Sequence, residues 1–185
     1  MKRMGNQEVM AMKWVSEDFK NLREMWVFEL RMMLSAEEQL VRAMPNHVVR
    51  ACDQQLRQAF QSHFQETETH VKRLEEILAE QKRQDHSITT VGPEKCKVMN
   101  ALVAEAEDLI VDARHAWVRD AGLIADAQRV VHYEMASYGT LRQWAHLLGE
   151  HGAEELLDET LKEERHTDHL LTSIAERINP VAMTV

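Results

Sequence analysis

Turn-forming residues are scarce in this sequence, with only 6 Gly and 3 Pro among 185 residues. Sandwiches and barrels need frequent turns and β-branched runs, so this scarcity argues against them. The abundant Ala, Leu, Glu, Arg, Gln and Met lose little rotamer freedom in a helix. Cysteine is nearly absent: Cys52 and Cys96 have no CxxC relationship and sit in a chain too long for a small disulfide scaffold. Two free buried thiols in a reducing cytosol are expected. Positive charge is also in deficit. The formal net charge is −9, the pI is near 5.6 and no Lys/Arg cluster stands out, which speaks against a nucleic-acid partner. No segment approaches the roughly 18 apolar residues of a membrane span. The opening MKRMGNQEVMAMKWVSE is too polar for a signal peptide. A soluble, cytoplasmic chain with no membrane association is expected.

What is present is long-range helical periodicity. One segment runs from about Ser16, a candidate N-cap, to Met44, with Pro45 expected to end it. A second continues through Asp53 to about Gln81, before the polar run Gln84 to Thr90. Gly92-Pro93 opens a shorter stretch from Glu94 to Ala113. A third long segment spans Arg119 to Leu148 and stops at Gly149. The fourth runs from Ala153 to Ile178, with Pro180 expected to prevent continuation. Two pairs of long helices joined by a long connection holding a short helix describe an all-α four-helix bundle with one crossover. Residues 16–180 are expected to form this single domain, after a loosely ordered N-terminal segment, residues 1–15.

Core positions of a bundle recur at steps of three and four, so each helix can be tested for polar residues on its apolar stripe. The first gives Leu22, Trp26, Leu30, Met33, Glu37, Leu40, Met44. The second gives Leu56, Ala59 or Phe60, His63, Glu66, His70, Leu74, Ile77. The third has Glu134 between Val130 and Tyr138, and the fourth has Glu164 and Asp168 between Leu161 and Leu171. An isolated carboxylate in an apolar core is costly, and several together repel one another. Acids on all four long helices therefore point to cations, and oxygen ligands with imidazole suit iron or manganese. The two halves place these acids in nearly the same register. Glu66 and His70 are four apart, as are Glu164 and Asp168, which keeps each pair on one face. A Glu-x-x-His pattern also occurs at Glu163 and His166, on a less apolar stripe.

The chain resembles the YciE/YciF family of bacterial stress-associated ferritin-like proteins from about Asp18 to Arg177. The likeness is carried by Leu34-Ser35-Ala36-Glu37 with Gln39-Leu40, by His63, Glu66-Thr67 and His70-Val71, and by Cys96. It continues through His132-Tyr133-Glu134, Tyr138-Gly139-Thr140, Leu148-Gly149, Thr160-Leu161, Glu163-Glu164 and Asp168. The resemblance implies a ferritin-like bundle, a homodimer, and a centre similar to the di-metal sites of rubrerythrin and ferritin. Two positions depart from the family pattern: Ser35 stands where Asp is frequent, and Val131 where Glu is usual.

The expected function is thus a stress-response protein binding two iron or manganese ions through Glu37, Glu66, His70, Glu134, Glu164 and Asp168, with oxidase or peroxide-reducing chemistry if it is an enzyme. His63 is expected to be an orienting partner of a ligand or a surface residue rather than a ligand, His132 to orient a ligand from off the stripe, and Tyr138 to bond a carboxylate from the core. His146, His151, His166 and His169 read as solvated. The rival is a metal-free helical scaffold whose inward acids are protonated, paired with Arg or covered in a dimer.

Overall fold

The computed structural model describes residues 18–185, so the candidate cap Ser16 and the expected loose segment lie outside the described residues. Five helices follow in order: α1 (Leu22–Arg50), α2 (Gln54–Gln84), α3 (Lys97–Asp112), α4 (Ala116–Leu148) and α5 (His151–Ala182). No strand occurs among the described residues. The fold is the ferritin-like bundle, with α1/α2 and α4/α5 as antiparallel pairs and α3 in the crossover, packed on α1 and α4.

Local chemistry sets the helix ends. The Asn21 side chain accepts from Glu24 N–H at the start of α1, and the Asp53 side chain accepts from Leu56 N–H at the start of α2. Gly149 adopts φ 75° and closes α4, its N–H reaching the Ala145 and His146 carbonyls. The crossover is tied to α1 by Arg31, whose carbonyl accepts from Glu94 N–H at 2.9 Å and whose guanidinium donates to Gly92 O at 2.9 Å and to Glu94 at 3.1 Å. At Gly122 a Cβ would come within 2.5 Å of Leu109 Cδ1, so the missing side chain lets α3 lie close on α4.

Neither proline ends its helix as the sequence suggested. Pro45 and Pro180 both lie inside their helices. Pro45 is exposed, and α1 continues for a further turn because Met44 and Ala51 are buried and Val48 packs against the core. Glu176, whose carbonyl loses its donor to Pro180, is likewise exposed. Burial of apolar neighbours therefore outweighs the local penalty of proline.

Two apolar clusters occupy opposite ends of the bundle. The first gathers Trp26, Leu30, Leu74, Leu78, Leu141 and Leu157, where Trp26 Nε1 donates to Leu141 O at 3.0 Å. The second gathers Leu56, Phe60, Leu123, Ile124, Leu171 and Ile174. Val131 lies in the second cluster, completely buried. Between them sits a polar layer.

Candidate metal centre

That layer is formed by Glu37 of α1, His63 and His70 of α2, Glu134 and Tyr138 of α4, and Glu164 of α5, of which only His63 has any exposure, at 3%. His63 Nε2 is 3.4 Å from Glu164 Oε1, and His70 Nδ1 is 3.4 Å from the same oxygen and 3.7 Å from Glu37 Oε1. His63, Glu134 and Glu164 each offer a ligand atom within 4.8 Å of the others. The Tyr138 hydroxyl donates to Glu37 Oε1.

The layer is short of hydrogen-bond partners. Both oxygens of Glu134, both of Glu164, Glu37 Oε2, His63 Nε2 and His70 Nδ1 are buried with no such partner among the described residues. Buried polar atoms are normally satisfied, so a group of seven converging on one layer calls for an explanation. A cation accepted by these lone pairs supplies one, and the donor set of three carboxylates and two imidazoles fits a transition-metal ion.

Protons fill part of that role when no cation is bound. Burial raises the Glu134 carboxyl well above its ordinary range, and the charges of Glu164 and Glu37 raise it further. For His63, burial acts downward, but the Glu164 carboxylate outweighs it and the imidazole is raised. Burial also acts against the charged form of His70, yet its bond to Glu163 and the nearby carboxylates of Glu37 and Glu164 push it up to about 10. Outside the layer, Glu163 accepts from His70 Nε2 at 2.9 Å and from Arg73 Nη2 at 3.1 Å. Desolvation opposes these two cationic partners, and they prevail, holding its carboxyl at about 2.

The structure gathers Glu37, His70, Glu134 and Glu164 in the layer and places Glu66 and Asp168 outside it. On α2 the buried series is His63, Thr67, His70; on α5 it is Glu164, Thr167, Leu171. In each helix the step of four and the step of three are exchanged relative to the expected stripe. Glu66 is therefore only half-buried at the flank, where Thr167 Oγ1 donates to it at 3.5 Å. Asp168 turns outward to His132 Nε2 at 3.0 Å. His132 is exposed and paired there, far from an orienting role inside the layer.

Thr67 takes the inward position expected for Glu66, and His63, already on the stripe read from the sequence, faces the layer as a donor. The signal for His63 is its place two turns before His70 on the same face. The ferritin-like arrangement of a Glu from two helices and Glu-x-x-His from each of the other two is half kept. Thr67-x-x-His70 retains the histidine, and Glu164-x-x-Thr167 retains the glutamate. Ser35 has a structural task, its Oγ accepting from Cys96 N–H at 3.2 Å where α3 begins. His146, His151, His166 and His169 are all exposed.

An all-α bundle with a long crossover and a buried carboxylate–histidine layer defines a protein of the ferritin-like class. The chain belongs to the family described as a domain of unknown function (DUF892), which matches residues 21–183. It is 38% identical over 158 residues to Protein YciF of Escherichia coli (strain K12), covering 85% of this chain and 92% of that protein. The crystal structure of the E. coli stress protein YciF superposes with a TM-score of 0.80 at 37% identity, over 88% of this chain and 99% of that one. YcfI from Rhodopseudomonas palustris superposes with a TM-score of 0.78 at 29% identity, over 85% and 96% respectively. No helix among the described residues is long and apolar enough to cross a membrane.

Proposed function

We propose that this protein is a cytoplasmic stress-response protein, acting as a homodimer, whose bundle binds iron or manganese through Glu37, His63, His70, Glu134 and Glu164. The observation that carries this reading is the set of seven unpartnered ligand atoms in one buried layer. Five inward donors are enough for one ion, and a second ion of the pair expected from the sequence would draw its remaining ligands from solvent. When bound, such ions supply the capacity for ferrous oxidation or peroxide reduction. The protein's own part is to orient and exclude. Tyr138 fixes the Glu37 carboxylate, and Glu163 fixes the His70 ring from outside, leaving Nδ1 facing inward. The two apolar clusters keep water from entering along the bundle axis.

The rival scaffold reading draws on the same electrostatics, because protons on His63, His70 and Glu134 balance the inward charge without metal. YcfI, proposed to be a structural protein, lies in this direction. Thermal unfolding separates the two. Metal binding at a hundred times Kd adds about 2.7 kcal/mol to stability, a rise of several degrees in Tm with Mn²⁺ or anaerobic Fe²⁺. An unchanged Tm over that range favours the scaffold.

A further inference from the structure

A cation has to reach this layer, and its surroundings restrict the route. Moving an unpaired ion through an apolar wall is prohibitively costly. Leucine, isoleucine and aromatic side chains close both ends of the bundle. Beneath α3 a cavity of about 20 Å³ reaches His63, too small for more than a single water, and apart from His47, His63 and Asp126 its walls are apolar. The seam between α2 and α5 differs. Glu66 is half-buried there, Glu163 touches His70 while its side chain stays 32% exposed, and Glu159 beyond them is exposed. Thr167, which sits on the inward face of α5 next to Glu164, donates to Glu66 at 3.5 Å and so links the seam to the layer's edge.

Across this acidic seam lies one guanidinium. Arg73 donates to both Glu163 oxygens and, at 3.1 Å, to Thr160 Oγ1, and it lies 3.3 Å from Glu159. Its side chain is 16% exposed, so the positive group sits at the mouth of the seam rather than in free solvent.

We propose that the α2/α5 seam is the entry route for divalent cations to the buried layer, with Glu66 and Glu163 as successive carboxylate stations and Arg73 as the cationic plug that a metal ion displaces. This rests on the metal-binding reading of the layer. The unpartnered carboxylates of Glu134 and Glu164 are the destination. Like charge at the surface slows the approach of a cation, and carboxylates placed along the seam speed it.

The test is Co²⁺ uptake by the full chain, followed by stopped-flow visible absorption, with release measured by transfer to a chelator. Arg73→Met keeps the aliphatic stem and removes the plug; uptake and release both quicken by roughly tenfold, within the range by which charge alters association rates. Glu66→Gln removes a station outside the ligand set, and uptake slows while the number of ions bound at saturation is unchanged. Circular dichroism and Tm establish that each variant is folded. Wild-type uptake rates in both variants, with cobalt bound at full stoichiometry, overturn the route and leave the centre intact. A wild-type protein that takes up no cobalt overturns the centre, and the route with it.

Discussion

Glu164 Oε1 stands 3.4 Å from His63 Nε2, a contact from α5 to α2 that makes His63 the inward donor two turns before His70. His63→Ala therefore lowers metal affinity by more than the roughly 10–100-fold that outer groups contribute to a metal site. Asp168→Asn, at the surface pair with His132, leaves affinity unchanged. Competition titration against a chromogenic chelator measures both, and equal losses in the two variants would contradict the assignment.

The buried Glu134 is suited to binding at the expense of stability. Replacing it with a residue of similar volume and no charge, Glu134→Met, removes a desolvated acid crowded by Glu164 and Glu37. The metal-free protein should gain about 1–3 kcal/mol, in line with replacements of buried charged groups by apolar ones. The variant loses the metal-induced rise in Tm. Calorimetry with and without Mn²⁺ checks both parts, and a less stable metal-free variant would contradict the prediction.

Metal and protons compete for the same atoms. Glu134, His63 and His70 all have raised affinity for protons in the metal-free layer. Binding near neutral pH accordingly releases protons, that of His70 among them, and affinity climbs as pH rises. Isothermal titration in buffers of different ionisation enthalpy counts the protons. A release near zero would mean that the ion binds elsewhere.

Asp53 provides a separate dependence on pH. The bond from Arg177 is the main cause that lowers its carboxyl from 3.8 to about 2; burial opposes this, and Leu56 N–H assists. A depressed carboxylate stabilises the fold above its unfolded pKa and loses that contribution as pH falls through the folded value. The loss therefore falls between pH 3.8 and about 2. In Asp53→Asn that part of the acid-unfolding curve flattens, as measured by the urea midpoint at each pH. Because the pair lies at the surface, its contribution is modest and weakens with salt.

Much of this architecture was legible in the sequence. The four long stripes, the Gly149 stop and the short crossover helix all arise from local periodicity and turn chemistry. So did the convergence of Glu37 and Glu134, each flanked on both sides by apolar residues at helical spacing, and of His70 and Glu164, each flanked by a leucine on one side. The proline boundaries were not legible: Pro45 and Pro180 fall on exposed faces, and only tertiary burial of Met44, Ala51 and Ile178 decides that the helices continue. Glu66 and Asp168 were misplaced for one physical reason. A helix alternates steps of three and four, and where Thr67 and Thr167 hold the inward positions, no apolar residue marks which step comes first. The outer pair of Glu163 and Arg73 was invisible because it joins α2 to α5 across 90 residues of sequence.

The central claim is most directly tested by total metal content of protein purified without an affinity tag or chelator, beside a folded Glu37→Ala/Glu164→Ala variant. The account predicts one to two iron or manganese ions per chain, as the donor set allows, and none in the variant. If both proteins lack metal even after anaerobic loading with Fe²⁺ and Mn²⁺, the layer is a protonated core, and the metal-centre account is wrong.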